Sequence, residues 1–164
     1  MHGAIQYRTI RTRWGRLLIQ ADANAVKAVS FEGGRHYCAP APRWQHGGSV
    51  ADQAVAELRA YLSGERKTFS VLTAPEGTPF QQRVWRTLRR IPYGETLSYG
   101  EVARRIRQPG AARAVGAAAR DNPVAIIIPC HRVVGSDGRL TGYAGGLDRK
   151  AGLLALELRH APRT

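Results

Sequence analysis

At 164 residues, with 43% hydrophobic and 23% charged side chains, the chain has the makeup of a globular protein of one ordinary domain or two small ones. Its longest apolar run, residues 123–130, is far too short to cross a bilayer, and Cys38 and Cys130 alone make no disulfide framework, so a membrane span and a secreted disulfide scaffold are excluded. The formal charge is +13, and from Thr78 onward 15 Lys and Arg stand against 6 Asp and Glu. Such a bias suits a polyanion, nucleic acid first, and equally suits a solvated arginine-rich surface. With Arg8, Arg11, Arg13 and Arg16 interrupting any leader, a reducing cytoplasmic location is expected.

Apolar and polar residues alternate over 5–10, 16–19 and 26–31, which predicts a small antiparallel sheet, with Trp14-Gly15 as a turn. Two glycine pairs, Pro40 and Pro42 mark 33–48 as loop. Val50, Ala54, Val55, Leu58, Tyr61 and Leu62 have helical spacing, ended by Gly64, and 67–72 reads as a further strand. Residues 73–77 read as a linker. The expected domains are therefore 1–76, sheet and helix, and 77–164, mainly helical: an α+β chain.

The second part opens with Thr78 as N-cap and Pro79 at the first helical position, over a buried stripe of Phe80, Val84, Trp85, Leu88 and Ile91. Ser98 and Glu101 form a capping box for a helix burying Val102, Ala103 and Ile106. Gln108-Pro109-Gly110 breaks it, and a second short helix begins at Ala111, the outline of a helix-turn-helix. That second helix carries little bulk beyond Arg113 and Arg120. Its small face can pack tightly inside the domain, press against a partner, or do both on opposite sides. A last helix is expected over 148–159.

Pro129-Cys130-His131-Arg132 sets a thiol beside an imidazole and a guanidinium. A thiol attacks efficiently only as thiolate, and neighbouring positive charge with a proton acceptor favours that form. A cysteine closing an apolar run is also an ordinary core residue. Both readings fit these four residues taken alone.

Together with Phe80-Gln81-Gln82-Arg83-Val84-Trp85, Ile91-Pro92-Tyr93-Gly94, Ser98-Tyr99-Gly100, Asn122-Pro123 and Gly142-Tyr143-Ala144-Gly145-Gly146, the motif resembles the O6-alkylguanine-DNA alkyltransferases over 78–157. Residues 1–75 match only in layout, as a sheet-and-helix domain resembling the ribonuclease-H-like N-terminal domain of that family. The resemblance implies a single-turnover DNA-repair methyltransferase that flips O6-alkylguanine out of duplex DNA and keeps the alkyl group on Cys130. It makes His131 the base acting through a water and Glu157 the residue that orients it, supporting thiolate formation rather than folding. Tyr99 becomes the donor to the leaving guanine, and Asn122 a hinge.

The resemblance further makes Arg113 the side chain that fills the vacated stack. Ala112, Ala114, Gly116, Ala117, Ala118, Ala119, Arg120 and Ser98 border DNA, and Pro129, Val133, Tyr143, Ala144 and Gly145 line the alkyl pocket. Duplex DNA carrying O6-alkylguanine, with O4-alkylthymine as a further lesion, is the implied partner of a monomer, and no cofactor is implied. Some relatives hold a structural zinc; His36, Cys38 and His46 are spaced too loosely for one, and no metal is expected.

Overall fold

The computed structural model describes residues 4–162. The period-two segments form β1 (Gln6–Thr12), β2 (Gly15–Ala21) and β3 (Val26–Phe31), paired antiparallel in sequence. A short β4 (Gln45–His46) adds parallel to β1, giving the order β3-β2-β1-β4. It lies within the stretch expected to be loop, where two residues are too few to show alternation. Helix α1 (Ser49–Leu62) packs on this sheet and buries Ala51, Ala54, Val55, Leu58 and Tyr61. It stops at Gly64, whose φ of 85° lets its N–H reach Tyr61 O at 3.0 Å while Glu65 N–H reaches Ala60 O at 2.9 Å.

Residues 67–72 are not a strand, correcting the sequence expectation. The Ser70 and Val71 N–H groups donate to the Glu57 carboxylate at 2.9 and 3.1 Å, so they are unavailable to a ladder. Only the end of the segment meets β3, where Val26 N–H donates to Leu72 O.

The chain divides into two compact units: residues up to Glu76 together with Pro123–Ile127, and Gly77–Asn122 together with the residues from Ile128 onward. The stretch expected as one domain over 77–164 thus lends 123–127 to the first unit. The reason is the free edge of β3, whose backbone groups need partners. Val29 N–H donates to Pro123 O at 2.9 Å and accepts at its carbonyl from Ala125 N–H at 3.0 Å.

In the second unit the capping box expected at Ser98 is present, and Thr78, expected as an N-cap, forms a second one with Gln81. Thr78 and Gln81 exchange bonds of 3.1 and 2.9 Å ahead of α2 (Pro79–Leu88), and Ser98 and Glu101 exchange two of 3.1 Å ahead of α3 (Tyr99–Arg105). Val84, Trp85 and Leu88 are buried, and Ile91 is buried just past the helix. Phe80 stays half-buried, with the Arg83 guanidinium over its ring. The Trp85 indole donates to Ala118 O at 2.8 Å and ties α2 to α4 (Ala112–Arg120). Helix α3 ends before the expected break, because Arg107 takes a φ of 62° and Gln108 N–H closes back onto Ala103 O. β5 (Leu97–Ser98) pairs parallel with β6 (Val133–Val134), and α5 (Leu147–His160) follows. The mixed α+β class is as expected.

Candidate active site

Cys130 opens a 3-10 turn, Cys130–Arg132, behind Pro129. On its approach Ile126 holds a φ of 70°, a conformation a β-branched residue rarely adopts. The Asn122 carboxamide fixes the turn from the other side, donating to Ile128 O at 2.9 Å and to Cys130 Sγ at 3.2 Å. The thiol is only 6% exposed, and burial pushes its pKa up; the Asn122 bond and the positive charge of Lys150 pull the other way.

Glu157, reaching in from α5, gathers four donors on one fully buried carboxylate. His131 Nε2 lies 2.6 Å from Oε2, Arg132 donates from Nε at 2.8 Å and from a terminal nitrogen at 2.9 Å, and Gly94 N–H donates at 3.1 Å. Gly94 must be glycine: its φ is 80° and a Cβ would stand 2.7 Å from that of Ala161. Burial alone would raise the Glu157 carboxyl, but the His131 and Arg132 bonds outweigh it and hold it well below the usual carboxylate range. A carboxylate only accepts, so Nε2 of His131 carries the proton and Nδ1 carries the lone pair. Burial lowers the His131 pKa despite the nearby charge, keeping the ring neutral.

Two sequence expectations change here. Arg132 does not face the thiol as an activator: its guanidinium is taken up by Glu157 and by Ile91 O at 2.7 Å. Glu157 is therefore not devoted to chemistry alone, since it also neutralises a buried guanidinium. The cation whose charge bears on Cys130 is Lys150, which sequence reasoning missed. Its ammonium is fully buried, donates to Val133 O at 2.5 Å and Thr141 O at 2.8 Å, and burial lowers its pKa to about 8. Lys150, Leu153 and Glu157 share one face of α5, and that 3–4 spacing was the available signal.

Tyr99 is held by bonds of its own. Its hydroxyl donates to Thr141 O at 2.9 Å, and its ring lies 5.8 Å from the Lys150 ammonium. With Arg113, Gly116, Arg120, Thr141 and Gly142 it borders a recess of about 570 Å³. Ala112, Ala114, Gly116 and Ala117 lie on the accessible side of α4 with Arg113 and Arg120. Ala118 and Ala119, expected there too, are each 3% exposed and face inward with Val115. The Ser98 hydroxyl is engaged in capping α3. Val133 and Pro129 are buried beside the turn. The Tyr143 hydroxyl is buried with no hydrogen-bond partner among the described residues, and burial together with the Cys130 charge raises its pKa well above the ordinary value. Ala144 and Gly145 are half-buried in the same loop, where Arg149 donates to Gly145 O at 3.0 Å. A larger recess of about 700 Å³, in the first unit beside Gln20, Asp22 and Lys27, contains none of the expected site residues. Among the described residues no three His, Cys, Asp or Glu side chains gather to hold an ion.

Residues 79–159 match the family model described as 6-O-methylguanine DNA methyltransferase, DNA binding domain. A methylated-DNA–protein-cysteine methyltransferase of Methanosarcina acetivorans is 47% identical over 92% of this chain and 97% of its own length. One of Mycolicibacterium paratuberculosis is 49% identical over 96% and 95%. Among solved structures, Mycobacterium tuberculosis OGT in complex with DNA superposes with a TM-score of 0.86 at 46% identity, covering 96% of this chain and 95% of that one. A Pyrococcus kodakaraensis O6-methylguanine-DNA methyltransferase, 20% identical with a TM-score of 0.54 and covering 93% of this chain and 98% of its own, shares the fold. With near-half identity running the length of both chains, this protein belongs to the methylated-DNA–protein-cysteine methyltransferase family.

Proposed function

We propose that Cys130 is the alkyl acceptor and that the protein removes alkyl groups from O6 of guanine, and from O4 of thymine, in duplex DNA. The observation that carries this reading is the buried array Asn122–Cys130 and His131–Glu157–Arg132. It supplies a thiol, a neutral imidazole with its lone pair at Nδ1, and an ionised carboxylate to receive the resulting imidazolium. Neighbouring residues on a tight turn point apart, so His131 takes the thiol proton through a water. The Cys130 sulfur then attacks the alkyl carbon. A carbon–sulfur bond forms, the carbon–oxygen bond breaks, and its electron pair passes to the guanine ring.

Tyr99 donates its hydroxyl proton to that ring as the charge develops and is reprotonated from the imidazolium, so the thiol proton ends on the base. Because the hydroxyl rests on Thr141 O, it must turn from that carbonyl when a base enters. Pro129, Val133, Tyr143, Ala144 and Gly145 form the alkyl pocket. Arg113 fills the stack left by the flipped nucleotide while Ala112, Ala114, Gly116 and Ala117 let α4 approach the minor groove. The protein acts as a monomer on chromosomal DNA in the cytoplasm. No cofactor or metal enters this scheme, because the sulfur itself is the acceptor.

A thioether has no good leaving group at neutral pH, so each chain works once. Mass spectrometry after titration with O6-methylguanine duplex should show one methyl on Cys130, none on Cys38, and an end point at equivalence. Continued turnover at substoichiometric protein sinks the reading. Arg113→Ala should slow duplex repair at least tenfold and leave transfer from free O6-benzylguanine unchanged; equal slowing of both would make Arg113 a structural residue.

A further inference from the structure

The β1–β2 hairpin carries a charge arrangement that its own folding does not require. Arg11 and Arg16 are direct cross-strand partners, and like charges placed opposite each other destabilise a ladder. Arg16 finds relief in Glu32, whose carboxylate is 3.6 Å away, with both side chains about half exposed. Arg11 is exposed and, among the described residues, has no carboxylate within ion-pair distance. Arg13, at the tip, is also exposed and unpaired with any acid, and its guanidinium sits 5.2 Å over the Trp14 ring.

The turn itself uses none of these charges. Trp14 N–H donates to the Thr12 hydroxyl at 3.1 Å, that hydroxyl donates to Gly15 O at 2.6 Å, and Gly15 supplies a φ of 112°. Residues 8–16 hold four arginines and no acid, and Arg8 alone is drawn to α1, by Asp52 at 2.6 Å. A local arrangement that opposes folding without an evident structural return marks a functional surface.

We propose that the β1–β2 hairpin tip, through Arg11, Arg13 and Arg16, is a second contact for the phosphates of duplex DNA, additional to α4. A guanidinium is a rigid planar fork that matches phosphate oxygens, and the Trp14 face pre-orients that of Arg13. A two-stranded ribbon is also narrow enough to lie against a B-DNA groove. The tip offers no run of apolar residues that would enter a lipid surface. The inference rests on the protein's working on duplex DNA and on no step at Cys130.

The test uses the full chain and an undamaged duplex, with affinity measured by fluorescence anisotropy across a salt series. Arg11→Gln/Arg13→Gln should bind about tenfold more weakly at low salt. The slope of log affinity against log salt should shrink by about 2, since each lost phosphate contact removes about 0.9. Arg11→Glu separates charge from folding, because it pairs with Arg16 across the strands. It should hold or raise the melting temperature and still weaken DNA binding. Transfer from free O6-benzylguanine should stay unchanged in both variants, so failure of the acceptor reading at Cys130 would show there, in the parent protein, and not in the salt slopes. An unchanged affinity and salt slope in the double variant would overturn the proposal, as would DNA binding by Arg11→Glu equal to the parent's.

Discussion

Two helices of 14 residues, α1 and α5, each bury one glutamate, and the two carboxylates lead different lives. Glu57 is 6% exposed and accepts from Gln53, from the Ser70 and Val71 backbone and from the Ser70 hydroxyl, with Arg66 at 3.7 Å. Glu157 is fully buried and accepts from an imidazole, a guanidinium and one backbone N–H. Both are held below the ordinary 4.5, in each case against the upward push of burial. A buried carboxylate with a depressed pKa is therefore no sign of chemistry in itself. The nature of the donors decides: amide, backbone and hydroxyl donors, with Arg66 farther off, make Glu57 a tether for 66–71, whereas a titratable ring gives Glu157 its part in the proposed proton path.

The contrast breaks most visibly at Glu157. Glu157→Gln leaves the Arg132 guanidinium buried and uncompensated, a loss of about 3–5 kcal/mol. Transfer from both duplex and free base should fall at least a hundredfold, because the imidazolium loses its counter-charge. Urea unfolding and single-turnover transfer at one pH measure the two effects. A variant as stable and as fast as the parent would place Glu157 in the same class as Glu57.

At Glu57 the effect should be smaller and of one kind. Glu57→Gln keeps part of the bonding to Ser70 and Val71 and should cost about 1–2 kcal/mol. Free-base transfer should stay at the parent rate, measured well below the melting temperature. A tenfold loss there would give Glu57 a role that its donors do not suggest.

Acid sharpens the same comparison. A carboxyl whose folded pKa is depressed contributes stability that is complete above its unfolded pKa and is lost as pH falls through the folded value. Both glutamates therefore contribute fully at pH 7, and both contributions fade as the pH falls below about 4.5. Glu157 is depressed further, so Glu157→Gln should flatten the pH dependence of unfolding free energy in acid far more than Glu57→Gln. Equal flattening would show that Arg132 contributes little to holding Glu157 ionised.

Local signals made most of the fold legible. Period-two runs showed β1 to β3, and Thr78-Pro79 and Ser98-Glu101 showed where α2 and α3 begin, because those features act over three or four residues. What stayed hidden depends on distant partners. Residues 67–72 read as a strand until Glu57 is seen to take two of their N–H groups. The return of 123–127 to β3 is an edge-pairing event with no motif of its own. At the site, the resemblance pointed to Cys130, His131 and Glu157, all of which the fold buries, with His131 and Glu157 in direct contact. Arg132 departs from the expectation because adjacency in sequence is not adjacency of charge: its guanidinium turns to Glu157. Lys150 passed unnoticed because a lysine on a helix is ordinarily a solvated one.

Lys150 supplies the finest distinction between the two helices. It stands seven residues before Glu157, where α1 has Val50 before Glu57, so only α5 adds a buried cation to its carboxylate. Around its ammonium are the Cys130 thiol, whose charge favours the protonated form, the Tyr99 ring, and the Val133 and Thr141 carbonyls. Free-base transfer should rise through the acid range as the His131 ring becomes neutral and able to take the thiol proton, then decline a few-fold above about 8 as Lys150 loses the charge that stabilises the thiolate. Stability should move the opposite way. Between about pH 8 and the ordinary 10.5 the unfolded chain holds a proton on Lys150 that the folded chain has released, so unfolding free energy from this residue rises with pH. A decline in rate that tracks loss of folded protein would remove Lys150 from the chemistry. Lys150→Gln, slower throughout, should show no alkaline decline; if it keeps the parent's profile, the group responsible lies elsewhere.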